Sequence, residues 1–285
     1  MRLGGRESRN IEDRRGTRMG RRGGGIAVGG LGGVAILLIC LFLGVDPSVL
    51  LDDGSVNQQP PQQQQQGQVP ADDAGRRFAA LVLGDTEQVW HAEFQKLGRT
   101  YREPPLVLYS GGTTSGCGAA QAQVGPFYCP ADQRVYIDLD FMGQLQQRLG
   151  ANGDFAAAYI IAHEVGHHVQ NQLGILELTR NLQQQAQNQA QANNIQVRVE
   201  LQADCMAGLW ARQAHDARGI LERGDIEEGL NAAAAVGDDR LQRRSQGHVQ
   251  PESFTHGSSA ERVRWFRTGL ERGELAACDT FAGLR

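Results

Sequence analysis

The sequence contains no internal repeat, which excludes a solenoid or propeller of stacked units. It contains no recognisable RNA- or DNA-binding motif. The glycines of the stretch 110–118 lack the spacing and the lysine of a phosphate-cradling loop, so no nucleotide site is read there. Positive charge is not spread along the chain. Eight arginines (2, 6, 9, 14, 15, 18, 21 and 22) crowd into the first 22 residues against Glu7, Glu12 and Asp13. Everything after them is acidic, within a formal net charge of −4. A basic tail ahead of an acidic body does not fit a nucleic-acid binder, and it suits contact with anionic lipid headgroups.

One long uncharged run is present, residues 26–45. It has about the length needed to span a bilayer. No small-x-small cleavage site follows it, so it reads as an uncleaved transmembrane anchor rather than a signal peptide. Arginines on its N-terminal side predict a cytoplasmic tail (1–25) and an extracytoplasmic remainder at the cell membrane, crossed once. Residues 46–71, rich in glutamine and proline, read as a disordered linker with nothing to bury. A folded domain is expected over 72–285.

Five cysteines are few but informative. Cys40 lies in the apolar run, which leaves Cys117, Cys129, Cys205 and Cys278 as an even set in the exported part. Four cysteines allow three pairings. The favoured one joins Cys117 to Cys129 across a short loop and Cys205 to Cys278 between a helix and the C-terminal tail. Such pairs fit an oxidising compartment.

Within the domain, residues 73–97 carry apolar side chains at helical spacing. Residues 106–109 and 134–138 read as short strands, and 110–118 as a loop. A helix is expected over 139–149. Asp154 reads as the N-cap of the helix that follows. The polar stretch 179–196 is compatible with an exposed helix or a loop. Residues 225–237 and 258–270 read as helices. The fold class is therefore α+β and mostly helical, with a small β element.

Chemistry concentrates in residues 155–170. His163-Glu164-Val165-Gly166-His167 reads H-E-x-x-H, flanked by alanines and isoleucines that favour a buried helix. Residues four apart on a helix share a face, so His163 and His167 can ligate one Zn²⁺. Glu164 can act as general base on an activated water. Buried histidines and a glutamate are costly unless paired or metal-bound. Gly166 suggests a close neighbour with no room for a side chain, and His168 reads as a packing residue.

A catalytic zinc site needs a third protein ligand and an open position. The downstream candidates are Glu200, Asp204, His215, His248 and His256. Glu200 and Asp204 share a face of an apolar helix. Glu200 is favoured as the ligand. Asp204, one turn later, can accept the free N–H of a ligand histidine.

These residues resemble the gluzincin metallopeptidases in their H-E-x-x-H and E-x-x-x-D helices. The match is closer to the bacterial "putative neutral zinc metallopeptidase" family of membrane-anchored proteins. It is carried by residues 125–130, Ala162-His163-Glu164-Val165-Gly166-His167-His168-Val169-Gln170-Asn171, Glu200-Leu201-Gln202-Ala203-Asp204-Cys205, residues 237–240 and Phe254-Thr255-His256-Gly257. The resemblance covers roughly 72–285 and implies a zincin-like fold with proteolytic activity on protein or peptide substrates. It also implies an oxyanion role for His256, with Gly257 where proline is usual, and an ordering role for Arg262 on Asp238 or Asp239. The rival for His256 is a place in the N-cap region of the helix at 258–270. At the level of function, the rivals are a zinc-binding membrane scaffold without turnover and an extracytoplasmic binding module without metal.

Overall fold

The computed structural model describes residues 1–15, 73–121, 125–140, 142 and 153–282. The apolar run 26–45, the linker 46–71 and most of 139–149 lie outside the described residues. Among the described residues, no helix is long and apolar enough to cross a membrane.

A four-stranded sheet is built from β1 (Ile11–Asp13), β2 (Leu106–Tyr109), β6 (Arg134–Asp138) and β5 (Phe127–Cys129), in that spatial order. The first three are parallel and β5 is antiparallel to β6. β2 and β6 coincide with the two strands read from the sequence. Alternation along β2 sends Leu106 and Leu108 to the main core, and Val107 and Tyr109 to the other face. There they meet Tyr136, on which Phe127 stacks at 4.7 Å. The stretch 110–118, expected to be a loop, contains most of a hairpin, β3 (Gly112–Ser115) and β4 (Gly118–Gln121). Threonines 113 and 114 favour an extended chain, a turn at 116–117 reverses it, and β4 starts at Gly118, whose φ of 119° suits glycine.

The helices are α1 (Ala74–Lys96), α2 (Asp154–Gln172), α3 (Ile175–Gln184), α4 (Gln189–Arg218), α5 (Asp225–Ala235), α6 (Asp238–Gln246) and α7 (Ser259–Arg272); α2 packs on β5 and β6 of the sheet, and α4 packs between α2 and α7. Trp90, Phe155, Tyr159, Trp210 and Phe266 fill the core between them. Asp73 caps α1 by accepting from Arg76 N–H at 2.8 Å. The α2 N-cap is Gly153, not Asp154, which is the first helical residue and carries its carboxylate near the Met1 amine (2.8 Å). The polar stretch 179–196 divides between the end of α3 and the start of α4.

Small residues set the helix spacing. A Cβ on Gly166 of α2 would lie 3.2 Å from Ala203 Cα of α4, the close neighbour its sequence context implied. A Cβ on Gly269 of α7 would fall 1.9 Å from Cys205 O of α4, so those backbones touch. Both predicted disulfides are formed, Cys117–Cys129 with Cα atoms 5.8 Å apart and Cys205–Cys278 at 5.5 Å.

The first 15 residues overturn one expectation. They are not a tail separate from the domain. β1 pairs with β2 in register from Ile11–Leu106 to Asp13–Leu108. Ser8 is buried, with its hydroxyl donating to Glu87 at 2.6 Å, and its N–H donates to Ala80 O. The physical reason lies in partners distant in the sequence. Ile11 supplies an apolar strand residue, and the charges around it find fixed partners in Arg134–Glu12 and in Arg15 with Asp13 and Asp73. Arg15 and Asp73, the described residues on either side of 16–72, meet at 2.8 Å.

Candidate metal centre

α2 and α4 run side by side and bring the two halves of the motif together. His163 and His167 face Glu200 across this contact. Glu200 Oε2 lies 3.2 Å from His163 Nε2 and 3.5 Å from His167 Nε2. Donors about 2.0–2.1 Å from one tetrahedral ion sit about 3.4 Å from each other. The two distances to Glu200 are therefore those of a zinc tripod, and with all three ligand atoms within 4.8 Å of one another the residues fit the ion. Glu200 Oε1 accepts from Gln196 Nε2 at 2.9 Å, which leaves Oε2 for the metal.

Each histidine has its other nitrogen anchored. His163 Nδ1–H donates to Asp204 Oδ1 at 2.9 Å, the orienting bond expected from the i, i+4 spacing of Glu200 and Asp204. Asp204 is wholly buried. Arg262 Nε and Nη2 each donate to it at 2.8 Å, and the Tyr159 hydroxyl donates to the same carboxylate. Burial works to raise the Asp204 pKa, but the Arg262 guanidinium prevails and holds it at about 2. Burial likewise works to lower His163, yet Asp204 and Glu200 lift it to about 9 in the metal-free chain. His167 is raised in the same way, by Glu200. Its Nδ1–H donates to Gln170 Oε1 at 2.8 Å.

Glu164 follows the first ligand and is largely buried, at 8% exposure, yet its carboxylate makes no hydrogen bond to another described residue. An unengaged carboxylate beside a metal tripod is placed to handle a proton. His168 takes no part. It is buried, with Nε2–H donating to Arg102 O at 2.6 Å and Nδ1 accepting from Tyr128, and burial pushes its pKa down to about 4.

His256 comes in from the loop before α7. Asp238 Oδ2 accepts the backbone N–H groups of Thr255, His256 and Gly257 at 2.7, 2.6 and 3.0 Å. Asp238 Oδ1 faces His256 Nδ1 at 3.3 Å. Burial would lower the His256 pKa, but Asp238 and then the charge of Glu200 raise it. Ser258 caps α7 in a capping box with Glu261, so the loop that carries His256 is the N-cap region of that helix, as the rival reading expected. Arg262 orders an acid as the resemblance implied, but that acid is Asp204; Asp238 holds the loop and Asp239 holds Ser259. His215 and His248 have other partners, Leu221 N–H and Gln246 O. Sequence reading missed Gln170, Tyr159 and Gln196. For Gln170 a signal existed, three residues after His167 on the same helix.

A family model described as "Putative neutral zinc metallopeptidase" matches residues 1–281. The chain is 49% identical over 284 residues to the uncharacterised protein YpfJ of Escherichia coli strain K12, covering 98% of this chain and 97% of that one. It is 40% identical over 260 residues to the uncharacterised protein Rv2575 of Mycobacterium tuberculosis, covering 85% of each. No solved structure matches.

Proposed function

Given that the chain belongs to the neutral zinc metallopeptidase family, we propose that it is a zinc-dependent endopeptidase acting on protein or peptide substrates. The observation that carries this is the tripod of His163, His167 and Glu200 with an unengaged Glu164 beside it. Zinc held there supplies a positive charge that makes water more acidic and a peptide carbonyl more electrophilic. Glu164 takes the proton of the attacking water and returns it to the leaving amine. His256, its Nδ1 side held by Asp238, presents the opposite edge of the ring as donor to the developing oxyanion. Asp204 and Arg262 keep the His163 ring in orientation through the cycle.

The test is cleavage of an unstructured protein by wild type and Glu164→Gln, with zinc content measured on both. Glu164→Gln should keep the wild-type zinc content and lose about 10²–10⁴-fold in rate. Equal rates at equal zinc would remove Glu164 from the mechanism. A zinc-loaded wild type with no cleavage of any unstructured substrate would favour a scaffold.

The same reading places the domain outside the cytoplasm, where its two disulfides persist. Because β1 belongs to the domain sheet, residues 1–15 go with it. A single crossing by 26–45 would put β1 and β2 on opposite sides of the bilayer. The location we propose therefore keeps both flanks of the apolar run on the extracytoplasmic side, with lipid approached from the face where Arg15 meets Asp73.

A further inference from the structure

Two glutamines outside the zinc tripod connect it to the far end of the chain. Gln170 is fully buried and Gln202 nearly so. Gln202 Nε2 donates to Cys278 O at 2.9 Å. Gln170 Nε2 donates to Gln202 Oε1 at 3.0 Å and to Val199 O at 2.8 Å. Gln170 Oε1 receives His167 Nδ1–H at 2.8 Å.

The direction of this chain is not a free choice. A backbone carbonyl can only accept. Cys278 O therefore turns the Gln202 amide so that its NH₂ faces the C-terminal segment and its oxygen faces Gln170. Val199 O and Gln202 Oε1 both demand a donor from Gln170, which turns its oxygen to His167. An oxygen there demands that His167 carry its proton on Nδ1. The Nε2 lone pair is then left pointing at Glu200 Oε2, where the metal binds.

We propose that Gln170 and Gln202 are positioning residues. They form an amide relay that fixes the tautomer of the ligand His167 from two backbone carbonyls. One of these lies in α4. The other belongs to Cys278, which the Cys205–Cys278 disulfide ties back to α4. Thr280 strengthens this anchor by exchanging hydrogen bonds with Arg198, its hydroxyl donating to Arg198 O at 2.7 Å and its carbonyl accepting from Arg198 Nη1 at 2.6 Å. The two ligand histidines are thus oriented by different means. His163 is held by a charge, Asp204 with its arginine, and His167 by a neutral chain whose polarity is set by the C-terminal segment. A broken link anywhere along that chain frees the Gln170 amide to rotate, and a rotated amide presents NH₂ to His167 and favours the wrong tautomer. This relay rests on the zinc reading above and is independent of hydrolysis.

The experiment uses the full chain loaded with Co²⁺ in place of zinc. The paramagnetic ion moves the exchangeable Nδ1–H proton of each ligand histidine away from the rest of the proton spectrum. Wild type should give two such signals, one for His163 and one for His167. Gln202→Met, which touches neither the metal nor a ligand, should shift the His167 signal and hasten its exchange with solvent while leaving the His163 signal in place. Gln170→Met should do the same and weaken zinc binding, measured by chelator competition, by about 10–100-fold. Gln202→Met should weaken it in the same direction, by less. If Gln170→Met does not fold, Gln202→Met alone decides. Two unchanged signals in Gln202→Met, with zinc affinity within twofold of wild type, would overturn the relay. A wild-type chain that takes up neither cobalt nor zinc would instead overturn the zinc reading.

Discussion

Asp204 and Arg262 form a two-bond ion pair wholly inside the protein, both contacts at 2.8 Å, and the same carboxylate receives the Nδ1–H of His163. One buried charge thus closes the packing of α7 on α4 and orients a metal ligand. Removing the arginine leaves that carboxylate uncompensated in the core, which costs about 3–5 kcal/mol. Arg262→Met should therefore lower the thermal midpoint steeply, with or without zinc. Asp204→Asn keeps the shape and removes the charge that His163 leans on. It leaves the buried Arg262 charge without its partner, so it too should lower the thermal midpoint, and it should weaken zinc by about 10–100-fold. Calorimetric melting and chelator competition on the two variants separate the roles. An Asp204→Asn chain with wild-type zinc affinity would show that His163 needs no orienting partner.

Protonation and metal compete for the same nitrogen. In the metal-free chain, Asp204 and Glu200 hold His163 at about 9 against the effect of burial. A folded-state pKa above the ordinary 6.5 stabilises the fold fully below 6.5, and the contribution is lost as pH rises through about 9. Zinc uptake runs the other way, because Nε2 must be free of its proton to bind. Zinc affinity should rise with pH up to about 9, and uptake near neutrality should release protons. Calorimetry in buffers of different ionisation heat reads that release directly. A zero slope of apparent heat against buffer heat would contradict the arrangement of His163 with its two carboxylates.

Much of this site was legible because its chemistry is local to two helices. The i, i+4 pairs His163–His167 and Glu200–Asp204 each define a face from spacing alone, and the structure needed only to bring the faces together. The strands at 106–109 and 134–138 were legible because every residue in them but Arg134 and Asp138 is apolar or aromatic. What was missed depends on distant pairing. Nothing near Ile11 in the sequence shows that three residues will add a strand beside β2, almost a hundred positions away. Arg262 could be read as an ordering residue, but choosing among Asp204, Asp238 and Asp239 requires the crossing of α7 over α4. Gln170 looked like an ordinary polar residue because its role is set by carbonyl groups, which every residue has.

The crossing of α7 over α4 is also where a methyl group should be most costly. A Cβ on Gly208 would lie 2.0 Å from Phe266 O, and one on Gly269 would lie 1.9 Å from Cys205 O. Neither neighbour is the flexible end of a side chain, so the helices must separate. Overpacking commonly costs about 1–3 kcal/mol and here should exceed that range. Gly269→Ala should also weaken zinc, since α4 carries Glu200 and Asp204 and α7 carries Arg262. Urea denaturation of the alanine variants measures the first effect and chelator competition the second. A Gly269→Ala chain as stable as wild type would mean that the helices tolerate a wider spacing.

The Cys205–Cys278 bridge closes a loop across a sequence separation of 73 residues. Chain-entropy reasoning gives a bridge of that span about 4 kcal/mol. Cys278→Ser should lower stability by an amount of that order and, by loosening the carbonyl that anchors Gln202, should weaken zinc retention. Cys117→Ser, whose bridge spans 12 residues in the β3–β5 region, should lower stability less and leave zinc retention alone. Equal zinc loss in both variants would point to general loosening rather than to a link between the C-terminal segment and the metal.

Arg9 is exposed on the N-terminal segment and Arg267 is exposed on α7. With Cys40 replaced by serine, Arg9→Cys and Arg267→Cys each place one free thiol in a chain whose other cysteines are paired. A membrane-impermeant maleimide applied to intact cells should label both variants alike, because β1 and β2 are neighbouring strands of one sheet and must share a compartment. Labelling of Arg267→Cys alone would mean that 26–45 crosses the bilayer once, as its hydropathy and the arginines before it suggest. In that event β1 could not complete the sheet, and the unpaired edge of β2 would expose Leu106 N–H and Leu108 O, now bonded to Asn10 O and Arg14 N–H. Equal labelling would show that the pairing of three strand residues, with the ion pair of Arg15 and Asp73 behind it, outweighs the charge bias of the N-terminus.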